Sequence, residues 1–263
     1  MAEITAEQVR DEVTAWVQQN WDPEITLGEW WKRLAGAGYA SPMLPESCGG
    51  KGYPRHLAVL VMNILGEQHT IAPPTGLGLM LAAPTIAAHG SPEQQAEYIP
   101  RILDGTDAWC QLFSEPGAGS DLAGLGTKAD LDGDEYVITG QKVWTSGGQY
   151  ANWGMLIART NPDAPKHQGI SYFAFEMDQP GVDVRPLREM TGRAMFNEVF
   201  IDEARVPAAN LIGGLNNGWA VANTTLMVER ASLGSGGGGG SGAAQVTPGP
   251  IADQLGRRAG DLA

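Results

Sequence analysis

The repeat of apolar residues changes once along this chain, near Trp109, and that change constrains the fold more than any other feature. Upstream, Val9, Val13, Trp16 and Val17 fall at the i, i+4, i+7 and i+8 spacing that lines one face of a helix. Downstream, "DEYVITGQKVW", "WGMLIART", "GISYFAFEMD" and "NEVFIDEARVP" are short runs of β-branched and aromatic residues divided by Gly, Asn, Asp and Pro. From Gly218 the pattern turns helical again through "WAVANTTLMVERASL". The expected architecture is therefore an α+β multidomain chain. It has an all-α domain over residues 1–109, a β domain over 110–213 built as a small barrel or sandwich, and the beginning of a C-terminal helical bundle over 214–263.

Helix starts are marked by side-chain chemistry. Thr5-Ala6-Glu7-Gln8 and Thr26-Leu27-Gly28-Glu29 have capping-box spacing, and Ser91-Pro92-Glu93-Gln94 adds a proline at the first helical position. The breaker-rich segments 45–56 and 70–75 read as loops between helices. By composition the glycine run at 236–240 reads as a flexible linker.

Composition narrows the function. With 263 residues the chain can bury a sizeable core without staples. A formal charge of −13 offers no basic surface for a phosphate backbone, so nucleic acid is not an expected partner. The two cysteines, Cys48 and Cys110, have no ligand or redox spacing and read as small core residues, a usage that fits a reducing, cytoplasmic setting. No segment has the apolar length of a membrane span, and the N-terminus lacks the pattern of a signal peptide. His56, His69, His89 and His167 are scattered without ligand spacing, so no metal is expected.

Two segments carry the chemistry. In "FSEPGAGSD", Pro116 fixes one dihedral, Gly117 and Gly119 permit conformations closed to other residues, and Ala118 keeps the turn slim, so a planar or phosphorylated ligand can approach the backbone. It is neither a Rossmann fingerprint nor a P-loop. The second segment, "GQKVWTSGG" at 140–148, sets Trp144 between Gly-Gln-Lys and Thr-Ser.

Together with "RILDGTDAWCQ", "KADLDGDEYVITGQK" and "FNEVFIDEARVPAANLIGGLNNGW", these segments resemble the acyl-CoA dehydrogenase flavoproteins over nearly the whole chain. The resemblance implies FAD as cofactor, held by Gln111, Phe113, Ser114, Gly119, Ser120, Trp144, Thr145 and Ser146. In that arrangement Ser114 meets the pyrimidine edge, Trp144 packs on the isoalloxazine and Ser146 lies near its N5 end. Ser120 is placed for a phosphate or the bound CoA ester. The implied reaction removes a proton from the carbon beside a thioester carbonyl and a hydride from the next carbon, leaving a trans-2-enoyl-CoA. In "LMVERAS", Glu229 matches the subset of the family that carries its base just before an arginine, with Arg230 as a contact for the CoA portion. Glu115 reads as a brace for its own loop, and Arg193 as a surface cation.

Family members continue into a four-helix C-terminal domain, whereas this sequence ends at "IADQLGRRAGDLA". That ending fits either part of a longer protein or a short subunit completed by a partner. The expected setting is a homo- or heterotetramer acting on fatty or steroid side-chain acyl-CoA esters, with an electron-transfer flavoprotein as acceptor. A non-catalytic or half-site subunit and an acyl-CoA oxidase are the alternatives.

Overall fold

A computed structural model of the protein describes residues 4–234 and 255–259. The chain divides into two compact units, one containing 1–74, 96–106 and 248–263, the other 75–95 and 107–247.

The first unit is helical. Helix α1 (Ala6–Asn20) opens on the expected reciprocal cap: Gln8 N–H donates to Thr5 Oγ1 (3.2 Å) and Thr5 N–H to Gln8 Oε1 (2.9 Å). Helix α2 (Leu27–Gly36) has only half of its box. Thr26 accepts from Glu29 N–H at 3.1 Å, while the Glu29 side chain turns down the helix to pair with Arg33 at 3.2 Å. Val9, Val13 and Val17 of α1 are buried, as are Trp30 and Leu34 of α2 and Val61, Ile64 and Leu65 of helix α3 (Arg55–Glu67). Each such burial stabilises by about 1.5–3 kcal/mol before entropy is counted. Trp16 is half-buried, with its ring 5.5 Å from Trp30 and 5.1 Å from Tyr39. The indole N–H groups of Trp30 and Trp31 donate to the carbonyls of Ile71 and Ala72, which removes the penalty of burying two polar edges. The segment 255–259 pairs with the residues leading into α2 through Leu27 N–H to Arg257 O and Ala259 N–H to Ile25 O.

The second unit is built on one eight-stranded sheet. Its strands are β1 (Trp109–Leu112), β2 (Lys128–Asp132), β3 (Glu135–Ser146), β4 (Trp153–Arg159), β5 (Ile170–Glu176), β6 (Val182–Leu187), β7 (Phe196–Pro207) and β8 (Leu211–Ile212). The hydrogen-bonded order is β6-β7-β3-β2-β4-β5-β8, with β1 pairing in parallel beside β4. Residues from β1, β2, β3, β4, β5 and β7 share one core, including Leu112, Ile138, Leu156, Phe173, Phe175 and Val199. Four long strands match the apolar runs read from sequence, whereas β1, β6 and β8 are short or exposed and give little periodic signal. Strand β2 joins β3 across the two-residue loop Gly133-Asp134, with Gly133 at φ 66° in the first central position, where a tight hairpin turn favours glycine.

Helix α4 (Ala83–His89) follows a π-helical turn at 78–82, and α5 (Pro92–Leu103) follows the reciprocal Ser91/Gln94 cap. Gln94 also donates to the carbonyls of Ala209 and Leu211, tying the helix start to β8. Helix α6 (Gly218–Gly234) packs on the sheet. Thr225 lies 3.0 Å from Thr85 Oγ1 and 3.4 Å from the Tyr172 hydroxyl, and His89 Nε2 lies 2.7 Å from Thr224. Cys48 and Cys110 are buried free thiols, as expected of small core residues. The glycine run at 236–240 lies outside the described residues, as does much of the expected third domain. Among the described residues no helix is long and apolar enough to cross a membrane.

Gly140 shows how closely β3 meets its surroundings. A methyl group there would overlap Thr127, with the Thr127 Cα only 2.7 Å away. Gly140→Ala is expected to destabilise by about 1–3 kcal/mol in urea unfolding. Gly36→Ala, at an exposed position with nothing within 4 Å, is expected to stabilise by about 0.4–1 kcal/mol.

Candidate functional site

The "SEPGAGSD" segment leaves β1 and closes at once into a tight turn. Ala118 N–H donates to Glu115 O (3.1 Å) and Glu115 N–H to Ala118 O (2.9 Å), with Pro116 and Gly117 at the corners. Neither Gly117 nor Gly119 has a positive φ, so their expected conformational freedom is not what the turn uses. A Cβ at either position would meet nothing within 4 Å. These glycines keep the outer face of the loop low and open.

The loop is fastened to β3 from beneath. Successive carbonyls are taken by successive residues: Lys142 Nζ donates to Phe113 O (3.1 Å) and Val143 N–H to Ser114 O (2.9 Å). Lys142 also pairs with Glu115 at 2.9 Å, its side chain 0 % exposed and that of Glu115 only 10 %. The Glu115 carboxylate accepts in addition from the backbone N–H groups of Gly126 (2.6 Å) and Thr127 (2.9 Å), closing the loop onto its own far end. Arg159 holds the intervening residues by donating to Ala123 O (2.7 Å) and Leu125 O (3.2 Å). Burial pulls the Lys142 ammonium down to about 8, against the charge of Glu115, which holds it up. Burial pushes Glu115 up, but the Lys142 charge and the donors at Thr127 and Gly126 outweigh it and keep the carboxyl below its usual range.

Beside this loop β3 is bulged. Lys142 faces Val199 and Thr145 faces Asn197, so three steps on β3 oppose two on β7. The extra residue falls at Trp144, whose φ of 61° is rare for an aromatic side chain and costs about 1–3 kcal/mol. Its indole is 62 % exposed and touches the ring of Phe196 edge-on at 5.9 Å. Thr145 turns the other way: its side chain is fully buried, and its Oγ1 has no partner among the described residues. Ser146, the next residue, is half-buried.

The geometry thus brings Ser114 against β3 at Val143, the residue before Trp144, while Gly119 and Ser120 follow the Glu115–Ala118 turn on the same loop. Among the described residues the side chains of Gln111, Ser114, Ser120 and Ser146 have no hydrogen-bond partner. Phe113 is buried, its ring edge-on to Tyr172 at 6.0 Å. Glu229 and Arg230 lie on α6. Val221 and Thr225 are buried, and Glu229 continues that stripe one turn further, half-buried, while Arg230 is exposed. No hydrogen bond or ion pair joins Glu229 or Arg230 to the loop among the described residues.

Lys142 and Asn197 escaped the reading of the sequence as site residues. Lys142 left a signal: it shares the inward register of β3 with Tyr136 and Ile138, and a lysine there needs a buried partner. Among the described residues there is no group of three or more His, Cys, Asp or Glu side chains able to hold a metal.

Lys142→Met leaves Glu115 buried without its counter-ion and is expected to cost about 3–5 kcal/mol. The double variant Glu115→Gln/Lys142→Met should lose less than the sum of the two single losses, as a urea double-mutant cycle would read. Because the folded state keeps Glu115 ionised where the unfolded chain takes up a proton, stability should fall as pH drops below the usual carboxyl value of 4.5. Glu115→Gln should flatten that slope.

Two family models match the chain: the acyl-CoA dehydrogenase N-terminal domain over residues 1–106 and the acyl-CoA dehydrogenase middle domain over 110–204. It is 47 % identical over 203 residues to acyl-CoA dehydrogenase FadE34 of Mycobacterium tuberculosis, covering 77 % of this chain and 28 % of that protein. It is 45 % identical over 201 residues to acyl-CoA dehydrogenase IpdE1 of the same organism, covering 76 % and 52 %. The chain therefore spans about half, or less, of these relatives' length. Among solved structures, a Tcur3481-Tcur3483 steroid ACAD variant has a TM-score of 0.69 at 31 % identity, covering 87 % of this chain and 62 % of that one. The ChsE4-ChsE5 complex from Mycobacterium tuberculosis has a TM-score of 0.66 at 32 % identity, covering 87 % and 61 %. The helical N-terminal half, the β domain with its loop and bulge, and both matching domain models lead to one assignment: the chain belongs to the acyl-CoA dehydrogenase family.

Proposed function

We propose that this protein takes part in the FAD-dependent α,β-dehydrogenation of an acyl-CoA thioester to the trans-2-enoyl-CoA. The observation that carries the reading is Trp144, an exposed indole held in left-handed backbone beside a loop of unpartnered hydroxyls. An aromatic face with hydroxyl and amide groups at its margin suits a planar heteroaromatic ring with a polar edge, so these residues fit a flavin.

Trp144 would take the ring face, Ser114, Ser146 and Gln111 would offer polar contacts, and Gly119 would leave room for close approach. Ser120 would meet a phosphate or the CoA ester. Phe113 would act by seating the loop on Tyr172. Thr145 would contribute main chain, since its side chain is buried. The bound flavin would supply the hydride acceptor.

The chain's own part in the chemistry falls to Glu229. Its carboxylate would take the proton from the carbon beside the thioester carbonyl, a role that needs a carboxylate held at a fixed angle. The packed Val221–Thr225 face of α6 supports that placement, because it anchors the turn immediately before Glu229. Exposed Arg230 would meet the anionic portion of CoA. The substrate class we favour is the CoA ester of a steroid side chain, on the strength of the steroid ACAD likeness. The acceptor would be an electron-transfer flavoprotein, the assembly a tetramer and the setting the cytoplasm.

A second reading, a subunit holding half of a shared site, is supported by two structural neighbours that are two-component assemblies by their descriptions. One experiment separates the readings: the visible spectrum of the purified protein, then anaerobic addition of steroid side-chain and fatty acyl-CoAs. The main reading expects bound flavin that bleaches with one ester class. Glu229→Gln should keep the flavin and lose at least about 100-fold in bleaching rate. Unchanged bleaching would remove Glu229 from its role. A colourless protein that gains flavin on mixing with a longer family member would establish the half-site reading, and peroxide release in air would identify an oxidase.

A further inference from the structure

We propose that Asn197 is a positioning residue for Trp144: its buried amide pins the β3 bulge and so sets the direction in which the indole faces the proposed flavin site. Asn197 lies on β7 directly opposite Thr145 and is 0 % exposed. Its Nδ2 makes two bonds, to Thr145 O at 2.9 Å and to Gln149 Oε1. The first holds the residue after Trp144, and the second holds the turn that follows β3. The two contacts bracket the backbone between Trp144 and Gly147, the two left-handed positions of this segment, with φ of 61° and 67°.

Packing alone does not explain an asparagine here. Asn197 Oδ1 and Thr145 Oγ1 are both buried without a partner among the described residues, a condition that costs roughly 1–3 kcal/mol per group. A valine or leucine on β7 would fill the space and remove the Asn197 Oδ1 penalty, while leaving Thr145 Oγ1 unpaired and taking the side-chain donor from Thr145 O. What an aliphatic residue lacks is the pair of donor hydrogens that hold a bulged, left-handed tryptophan in one orientation. Unsatisfied polar atoms and strained backbone therefore meet at the same three residues, the pattern expected where geometry serves a ligand.

Asn197 acts on the ring only through the backbone, so its effect is separable from fold stability. The Trp144 resonance of 5-fluorotryptophan-labelled protein can be identified by its loss in Trp144→Phe. In the wild type it should be a single sharp ¹⁹F line. Asn197→Leu, which keeps volume and removes both donors, should keep far-UV circular dichroism and broaden or split that line. It should also weaken FAD binding by about tenfold, read by quenching of flavin fluorescence. Gln149→Ala, at an exposed position that folding tolerates, should shift the line and weaken FAD binding by roughly two- to threefold. An unchanged Trp144 line in Gln149→Ala, or in a folded Asn197→Leu, overturns the proposal whatever the flavin does. The binding arm rests on the flavin reading, the ¹⁹F arm does not. Wild-type protein that binds no FAD therefore counts against that reading and leaves the ¹⁹F result to decide the role of Asn197.

Discussion

The interaction on which the site depends is the buried pair between Lys142 and Glu115. Removing two charges from water is expensive, and an apolar pair of the same volume would serve stability as well. Such a pair would leave unpaired the Phe113 carbonyl, which Lys142 satisfies, and the amides of Gly126 and Thr127, which Glu115 satisfies. The ion pair thus answers for both ends of a polar loop at once. A loop rich in glycine and serine, anchored by a few buried apolar side chains such as Phe113, Ala118 and Leu125, is fastened by this means along its polar backbone.

Departures from ordinary packing gather within a few residues of that pair. Trp144 is left-handed and exposed, Thr145 and Asn197 bury unpaired oxygens, and β3 carries an extra residue. Elsewhere in the same sheet apolar residues from β1, β2, β3, β4, β5 and β7 converge on one core. The same strand pair has a second register shift, between Ile138 and Gly140, with Glu203 left-handed at φ 55°; what sets the Trp144 bulge apart is an exposed aromatic ring beside two buried unpaired oxygens. The two sides of the site are braced differently: the loop side by charge, the bulge side by the neutral amide of Asn197.

Much of the fold was legible where the signal is short-range. The caps at Thr5 and Ser91 formed as their spacing implies, because a cap involves only residues three apart. The Thr26 cap formed by half, since Arg33, one turn on, competes for the Glu29 carboxylate. The four long strands follow their apolar runs, whereas β1, only four residues long, takes its place by pairing in parallel beside β4, with a partner more than forty positions away. In the site, the residue types of the loop and of "GQKVWTSGG" were readable, and Glu115 does brace its own loop. The use of Gly117 and Gly119 was misread, because sequence shows that a glycine is free but not whether that freedom is used.

By itself the sequence determined the order of helical and β segments and the family, and it singled out the two motif segments and the candidate base Glu229, all carried by local period and by residue identity. Tertiary structure alone decided that Lys142 meets Glu115 across 27 positions, that Trp144 turns outward while Thr145 turns inward, and that Glu229 extends the packed face of α6. The physical reason is that a side chain's direction in a sheet depends on the register of strand pairing. One bulged residue reverses the alternation, and register is set by partners distant in the chain.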